Sequence, residues 1–375
     1  MIVRNLALTA LVLASLAPAA ARADDTATAA PAWKLDLHGV VRAGFEQVAE
    51  DDRYDFIGRN DGFVLHNARL SLDASHADGL LARVSLEGAT DLGSNSTTPS
   101  GTLDVRLRDA WVGYQPLDLL RVRVGQYKPG FLGESQREPS DYRFVTPSLL
   151  ASGVTVGAGF ETPGLALDRG LGAELSTGDG LKLSSLTVKV SAGAWNGNGS
   201  NERLNDNPSL AVGGRLELGW DDLVTLGVAG YQNARTTGAL PDRFEETDTG
   251  LAADLRLEVA GAWLLAQAAQ VTTAYGTVEV DDRTQAGWSA EGGYDLALSA
   301  ARVGLAYRYA TLDPWSEGSA ERAHEELTAH TVGLRIRHPG EQVDFGLSIN
   351  HTVTIEHESR ELNNDRTEIG AEVVF

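Results

Sequence analysis

From residue 35 to residue 375 the chain repeats one pattern. A segment of about ten residues alternates apolar and polar side chains, a connection follows, and long and short connections take turns. The segments fall near 35–45, 63–75, 80–89, 104–115, 119–128, 169–177, 184–195, 209–219, 223–233, 249–259, 262–272, 286–296, 301–311, 328–337, 342–354 and 366–375. In one, Leu251, Ala253, Leu255, Leu257 and Val259 stand against Asp254, Arg256 and Glu258. Leu70 and Leu72 against Arg69, Ser71 and Asp73 repeat it, as do Val343, Phe345, Leu347 and Ile349 against Asp344, Ser348 and Asn350. A period of two is that of a β-strand, and one oily face beside one wet face suits a sheet closed on itself in lipid.

The connections sharpen this. Short turns fall at His76–Gly79, Pro116–Asp118, Gly178–Gly180, Trp220–Asp222, Ala260-Gly261, Ala297–Ala300 and His338–Glu341. Long polar stretches fall between them at 46–62, 90–103, 129–168, 196–208, 234–248, 273–285, 312–327 and 355–365. Such parity places every short turn at one end of the molecule. The expected fold is all-β: a transmembrane antiparallel β-barrel of about sixteen strands, with long external loops and an inward-folded third loop. Phe45, Phe63, Tyr114, Trp220, Tyr231, Trp263, Trp288, Tyr294, Tyr309, Phe345 and Phe375 sit near strand ends, where they read as two interfacial girdles. The competing reading makes them core aromatics of a soluble β protein.

Mean hydropathy is −0.17, which alone would class the chain as soluble. Alternating strands average to such a value, so the figure does not exclude a barrel. Arg4, the apolar run Leu6–Leu16 and Ala21-Arg22-Ala23 form a signal peptide with its cleavage site. The expected organisation is a signal peptide at 1–23, a short periplasmic segment at 24–34 and an outer-membrane barrel at 35–375. In the last segment Ile369, Ala371, Val373 and Phe375 share one face. No cysteine is present, so there is no thiol chemistry to weigh. The formal charge is −21, and loss of Arg4 and Arg22 with the signal peptide takes it to −23. Nucleic acid, which demands clustered cations, is excluded as a partner.

The third long connection is far beyond ordinary loop length. It carries Glu134, Arg137, Glu138, Asp141 and Arg143, and Pro147–Leu150 offers an apolar anchor against the wall. These charged residues are candidates for a constriction loop; the alternative is an external hat that never enters the barrel. Strands two to five place Arg69, Arg83, Arg106, Arg108, Arg121 and Arg123 on the assigned lumen face, and consecutive strands are neighbours. A wall of guanidiniums facing acids makes a transverse field that favours polar solutes, and Arg binds carboxylate or phosphate with two prongs. The plainer reading pairs these arginines with Glu87, Asp73 and Asp109.

Acids crowd the other loops: Glu50, Asp51, Asp52, Asp55 and Asp61; Asp242, Glu245, Glu246 and Asp248; Asp313, Glu317, Glu321, Glu325 and Glu326; Glu356, Glu358, Glu361 and Asp365. They form a solvated rim or hold divalent cations that bridge to lipopolysaccharide. No spacing defines a metal site, the eight histidines are scattered, and no cofactor is implied. No serine has a nucleophile-elbow context, so the chain reads as no enzyme. The rival classes are a barrel enzyme and a non-channel barrel for adhesion or structure.

Two stretches resemble the phosphate-selective porin O and P family. One is Val122-Arg123-Val124-Gly125-Gln126-Tyr127-Lys128-Pro129-Gly130-Phe131 followed by Glu134; the other runs Ala192-Gly193-Ala194-Trp195-Asn196-Gly197-Asn198-Gly199, through Asp206 and Asn207, to Gly213-Gly214-Arg215-Leu216. The family sets proline and the aromatic side by side, where this chain inserts Gly130. Its phosphate-binding members use an arginine ladder with loop lysines, whereas the lysines here are Lys34, Lys128, Lys182 and Lys189. The resemblance implies an outer-membrane porin, a homotrimer in lipid and lipopolysaccharide. It would be inserted by the barrel assembly machinery and pass small hydrophilic or anionic solutes, phosphate and other oxyanions among them.

Overall fold

The computed structural model describes residues 33–59, 61–92, 101–202, 204–238, 243–276, 281–317, 326–357 and 361–375. The signal-peptide segment, the rim acids Asp242, Glu321, Glu325 and Glu358, and His324 lie outside them.

Sixteen strands form a closed antiparallel barrel. They are β1 (Trp33–Val48), β2 (Gly62–His76), β3 (Leu80–Leu92), β4 (Gly101–Leu117), β5 (Leu120–Tyr127), β6 (Gly170–Ser176), β7 (Leu186–Trp195) and β8 (Ala211–Trp220). There follow β9 (Val224–Thr237), β10 (Phe244–Val259), β11 (Ala262–Tyr275), β12 (Arg283–Ala297), β13 (Arg302–Glu317), β14 (Leu327–His338), β15 (Asp344–Glu356) and β16 (Arg366–Val374). Each pairs with its sequence neighbour, and β16 returns to β1 with Val40 opposite Val374 and Val48 opposite Arg366. At that seam Gly39 N donates to Phe375 O (2.7 Å) and Phe375 N to Gly39 O (3.0 Å). A Cβ on Gly39 would lie 2.6 Å from the Phe375 ring and 2.7 Å from the Arg69 carbonyl oxygen, so any side chain there would force the backbone to shift.

Burial is inverted relative to a soluble protein. Leu35, Leu37, Val84, Leu251 and Leu305 are exposed, while Arg42, Glu87, Arg308 and Glu368 are buried. A chain in water does not hide its charges and display its leucines. The apolar band belongs against hydrocarbon and the charges inside the barrel. The alternation in sequence thus maps onto the two faces of one wall.

Strands run longer than their apolar alternation. The β9–β10 ladder continues from Val224 opposite Leu257 to Thr237 opposite Phe244, through residues read as a long polar loop. Above the apolar band both faces are wet, so the alternation signal fades although the hydrogen bonds continue. Glu246 and Asp248, assigned to the rim, are therefore buried strand residues paired with Arg235 at 2.8 and 3.3 Å. At the opposite end Ala260 and Gly261 take positive φ (50° and 89°), the two-residue turn that suits a tight hairpin. The short turn at Gly178–Gly180 differs from its reading: Leu181–Leu183 forms a small extra strand that pairs with β7, and β7 itself starts at Leu186.

Two girdle assignments are corrected. Tyr231 faces inward and meets the Phe131 ring edge-to-face at 5.0 Å. Trp263 is buried with Arg143 over its ring at 5.3 Å. Both fall on the polar parity of their strands, which position near a strand end does not reveal. Trp220, Trp288, Tyr294, Phe345 and Phe375 are exposed on the outer wall.

Candidate functional site

The connection after β5, which begins at Lys128, packs against inward-facing wall residues. Phe131, Leu132, Leu149, Leu150 and Leu165 join Ala229, Ala252, Ala269, Val271, Ala310, Leu312 and Leu327 in one buried cluster. Alanines on the wall leave the room that the loop's larger side chains fill. A single helical turn, α1 (Leu149–Ser152), is capped by Ser148, whose Oγ accepts from Ala151 N. Ser148 in turn donates from N to Glu134 Oε1 (2.8 Å) and from Oγ to Glu134 Oε2. Glu134 and Gln267 of β11 are joined twice, Gln267 Nε2 donating to Glu134 Oε2 (2.9 Å) and Glu134 N to Gln267 Oε1 (3.1 Å).

Four wall arginines hold the loop by its backbone. Arg42 donates to the carbonyls of Phe144 (2.9 Å) and Val145 (2.6 Å), and Arg308 to that of Thr146 (2.9 Å). Arg215 donates to Phe131 O (3.0 Å) and Arg335 to Ser140 O (3.2 Å). A buried carbonyl without a donor is costly, and a charged donor is worth more than a neutral one. Sequence reasoning missed these arginines because their partners lie 84 to 195 residues away.

The other loop charges are spread. Arg137 pairs with Glu291 at 3.2 Å and Arg143 with Asp295 at 2.5 Å, both on β12. Glu138 reaches the opposite wall, pairing with Arg69 (2.8 Å) and Arg83 (3.2 Å). Asp141 is exposed. Glu134, expected to face the arginine wall, turns instead to Ser148 and Gln267, because Phe131 and Leu150 draw that part of the loop to β9–β14.

The β2–β6 wall stays uncovered and carries cations. Arg69 pairs with Glu87 at 2.6 Å, Arg83 with Asp73 at 2.6 Å and Arg108 with Glu87 at 3.1 Å. Arg121 pairs with Asp179 at 3.1 Å and Arg123 with Glu174 at 2.9 Å. Asp109 serves Arg169 (2.9 Å), which sequence reasoning had not singled out. The cause is a bulge in β4: Val84 faces Ala110 but Leu86 faces Leu107, so both Arg108 and Asp109 point inward. Gln126 Nε2 donates to the carbonyls of Leu107 and Arg108 that the bulge frees, each at 2.8 Å. Arg106 is exposed beside Asp104 and is not among the residues that line either cavity described next.

Two cavities lie along this wall. The one toward the long loops measures about 470 Å³ and is lined by nine cationic side chains against five carboxylates, so it is net positive within a chain of net charge −21. Arg69, Arg83, Arg108, Arg123, Lys128, Arg137, Arg169, Glu134 and Glu138 contribute to it. The second, about 250 Å³, lies toward the short turns and includes Arg121, Arg123, Lys189 and Arg215. Lys128 has no ion pair among the described residues. Burial, reinforced by Arg169, Arg108 and Arg69, pulls its ammonium down to about 8. No cluster of potential metal ligands occurs among the described residues.

A closed barrel with an oily outside, a charged interior and a long loop packed within it defines an outer-membrane channel. The chain belongs to the Gram-negative porin family, whose model matches residues 7–339. No curated protein is similar enough to count as a relative. Among solved structures the chain resembles an anion-selective porin from Comamonas acidovorans, with 13% identity and a TM-score of 0.58 over 92% of this chain and 100% of that one. It also resembles the outer membrane channel DcaP of Acinetobacter baumannii (14%, TM-score 0.57, 94% and 100% covered) and the outer membrane protein OmpT of Vibrio cholerae (12%, 0.56, 94% and 100%). At such identities the likeness is one of fold.

Proposed function

We propose that this porin is a water-filled channel for passive diffusion of small hydrophilic solutes, anions above all, and carries out no enzymatic chemistry. One observation carries the reading: Lys128, which is in no ion pair among the described residues, faces a cavity already rich in guanidiniums. In the channel so read, the loop beyond Lys128 narrows the lumen and leaves a passage along β2–β6. Arg69, Arg83, Arg108, Arg121 and Arg123 line that passage, and Glu138 faces them across it. All five of these guanidiniums are held by a carboxylate, so their role is to set potential and geometry while Lys128, in no ion pair among the described residues, supplies the charge. Phosphate and other oxyanions are candidate cargo on the likeness of Val122–Phe131 to the phosphate-selective porins. Arg4, the apolar run Leu6–Leu16 and Ala21-Arg22-Ala23 support export through a cleaved signal peptide, and the same likeness supports a homotrimer set in lipid and lipopolysaccharide.

Reversal potentials of the purified protein in planar bilayers, across a potassium chloride gradient, test this. Chloride should outrun potassium at high salt. A preference for potassium there would overturn the anion reading, and absence of conductance would overturn the channel.

A further inference from the structure

The residues common to the two cavities are Trp111, Arg123 and Gln136. A solute moving from one cavity to the other passes the Trp111 indole. Two glycines adjoin that residue. Gly125 is its register partner on β5, where a Cβ would come 2.6 Å from the Trp111 backbone, and a Cβ on Gly113 would come 3.3 Å from the indole Cζ3. Arg83 is its register partner on β3. The Arg123 guanidinium lies over the indole at 5.8 Å from its centroid and more closely over the Tyr127 ring at 4.4 Å, and it is bonded to Glu174 at 2.9 Å.

An aromatic ring at the neck of a cationic passage is an odd choice if water and chloride are the only cargo. Bare ions gain little from it, and a polar side chain would hydrate the neck better. The ring rewards a flat apolar body, and the cations on both sides demand negative charge on the same molecule. Aromatic faces stack, and a carboxylate bonds to ammonium and guanidinium groups. We propose that the channel favours small aromatic carboxylates over aliphatic ones of equal charge, the ring passing across Trp111 and the carboxylate taking Lys128 as its counter-ion. This rests on the anion-channel reading and adds to it a class of solute. The cavity of about 470 Å³ has room for a single-ring acid together with water.

The test compares potassium benzoate with potassium acetate in bilayers holding the full-length protein, alongside chloride. In the parent, benzoate should permeate better than acetate despite its greater size. Trp111→Leu should lower the benzoate-to-acetate ratio roughly 3- to 10-fold, the worth of one aromatic contact, each acid being read against chloride through the same variant. Trp111→Phe should keep most of the ratio, which guards against a folding defect in the leucine variant. Lys128→Gln should depress both acids together. Acetate equal to or ahead of benzoate in the parent overturns the inference while the anion channel stands. So does a leucine variant that speeds both acids alike, because the ring would then be an obstacle only. Failure to pass chloride at all would overturn the channel reading and this inference with it.

Discussion

In the channel proposed above, Lys128 is the residue on which anion preference turns. Its ammonium is drawn down to about 8 by burial first, then by Arg169, Arg108 and Arg69. It is charged below that value and neutral above, so anion preference should fall as pH rises through about 8. A unit charge about 4–8 Å from a passing ion in water is worth about 0.5–1 kcal/mol, which is a two- to five-fold change in ion ratio. Lys128→Arg should flatten the pH profile at the high-preference level and Lys128→Gln at the low one; reversal potentials between about pH 7 and pH 9 would show it. The sign for stability is the opposite of a salt-bridged lysine's. The folded state disfavours the charged form, so unfolding free energy should rise as pH climbs from about 8 toward 10.5. Single residues were unevenly legible in the sequence. Alternation placed Arg69, Arg83, Arg121 and Arg123 on the inner face because each lies in a regular strand. It could not place Asp109 and Arg108 together, because a bulge breaks the parity between them. Trp111 carried no sequence signal beyond its parity, and the arginines that grip the loop are defined only by carbonyls distant in the chain.

At the scale of elements, the third loop is held in two ways, by an apolar face and by guanidiniums. Leu150 is 0% exposed and packs among wall alanines and leucines. Leu150→Ala should weaken docking by about 2–5 kcal/mol, and Phe131→Ala by about 3–5 kcal/mol. Barrel strands need not notice, since the ladders are formed without the loop. The double variant should therefore remain heat-modifiable on gels while single-channel conductance rises and becomes noisier. Unchanged conductance would mean that the loop does not narrow the path. The stretch Pro147–Leu150 was visible in sequence as an anchor, because Pro147, Leu149 and Leu150 have no place in a solvated hat. The polar half of the docking was not, because Glu134 finds Ser148 only after the chain has turned and Gln267 only after five further strands have formed. Strand existence was likewise plain, and strand ends were not: hydrogen bonding outlasts the apolar band, as the β9–β10 hairpin shows.

For the whole molecule, charge is sorted by place: a positive cavity inside and a net of −21 overall. Some outer acids are neutralised where they stand, Asp51 by Arg53 at 2.9 Å and Glu246 by Arg235. Asp55 pairs with Arg59 at 3.8 Å, while Glu50, Asp52 and Glu245 are exposed and in no ion pair among the described residues. Their field reaches about 3 Å at 1 M salt, about 8 Å at physiological strength and about 30 Å at 0.01 M. Anion preference should therefore be clearest in concentrated salt and drift toward cations on dilution, measured as reversal potential at a fixed gradient ratio. A preference that ignores salt would locate the selecting charge wholly inside.

The seam between Gly39 and Phe375 joins the strand that is made first to the strand that is made last. Until β16 exists the sheet has two bare edges, each an invitation to pair with a neighbouring chain. The molecule therefore cannot mature piecemeal as it is synthesised; it must be kept in waiting and then finished in one act. Two of the arginines that grip the inner loop, Arg42 of β1 and Arg335 of β14, stand on opposite sides of that seam and share Glu372 of β16, at 3.4 and 2.5 Å. The loop's full grip is thus available only to a finished ring, so the same contacts that seat the loop certify that the ring was completed.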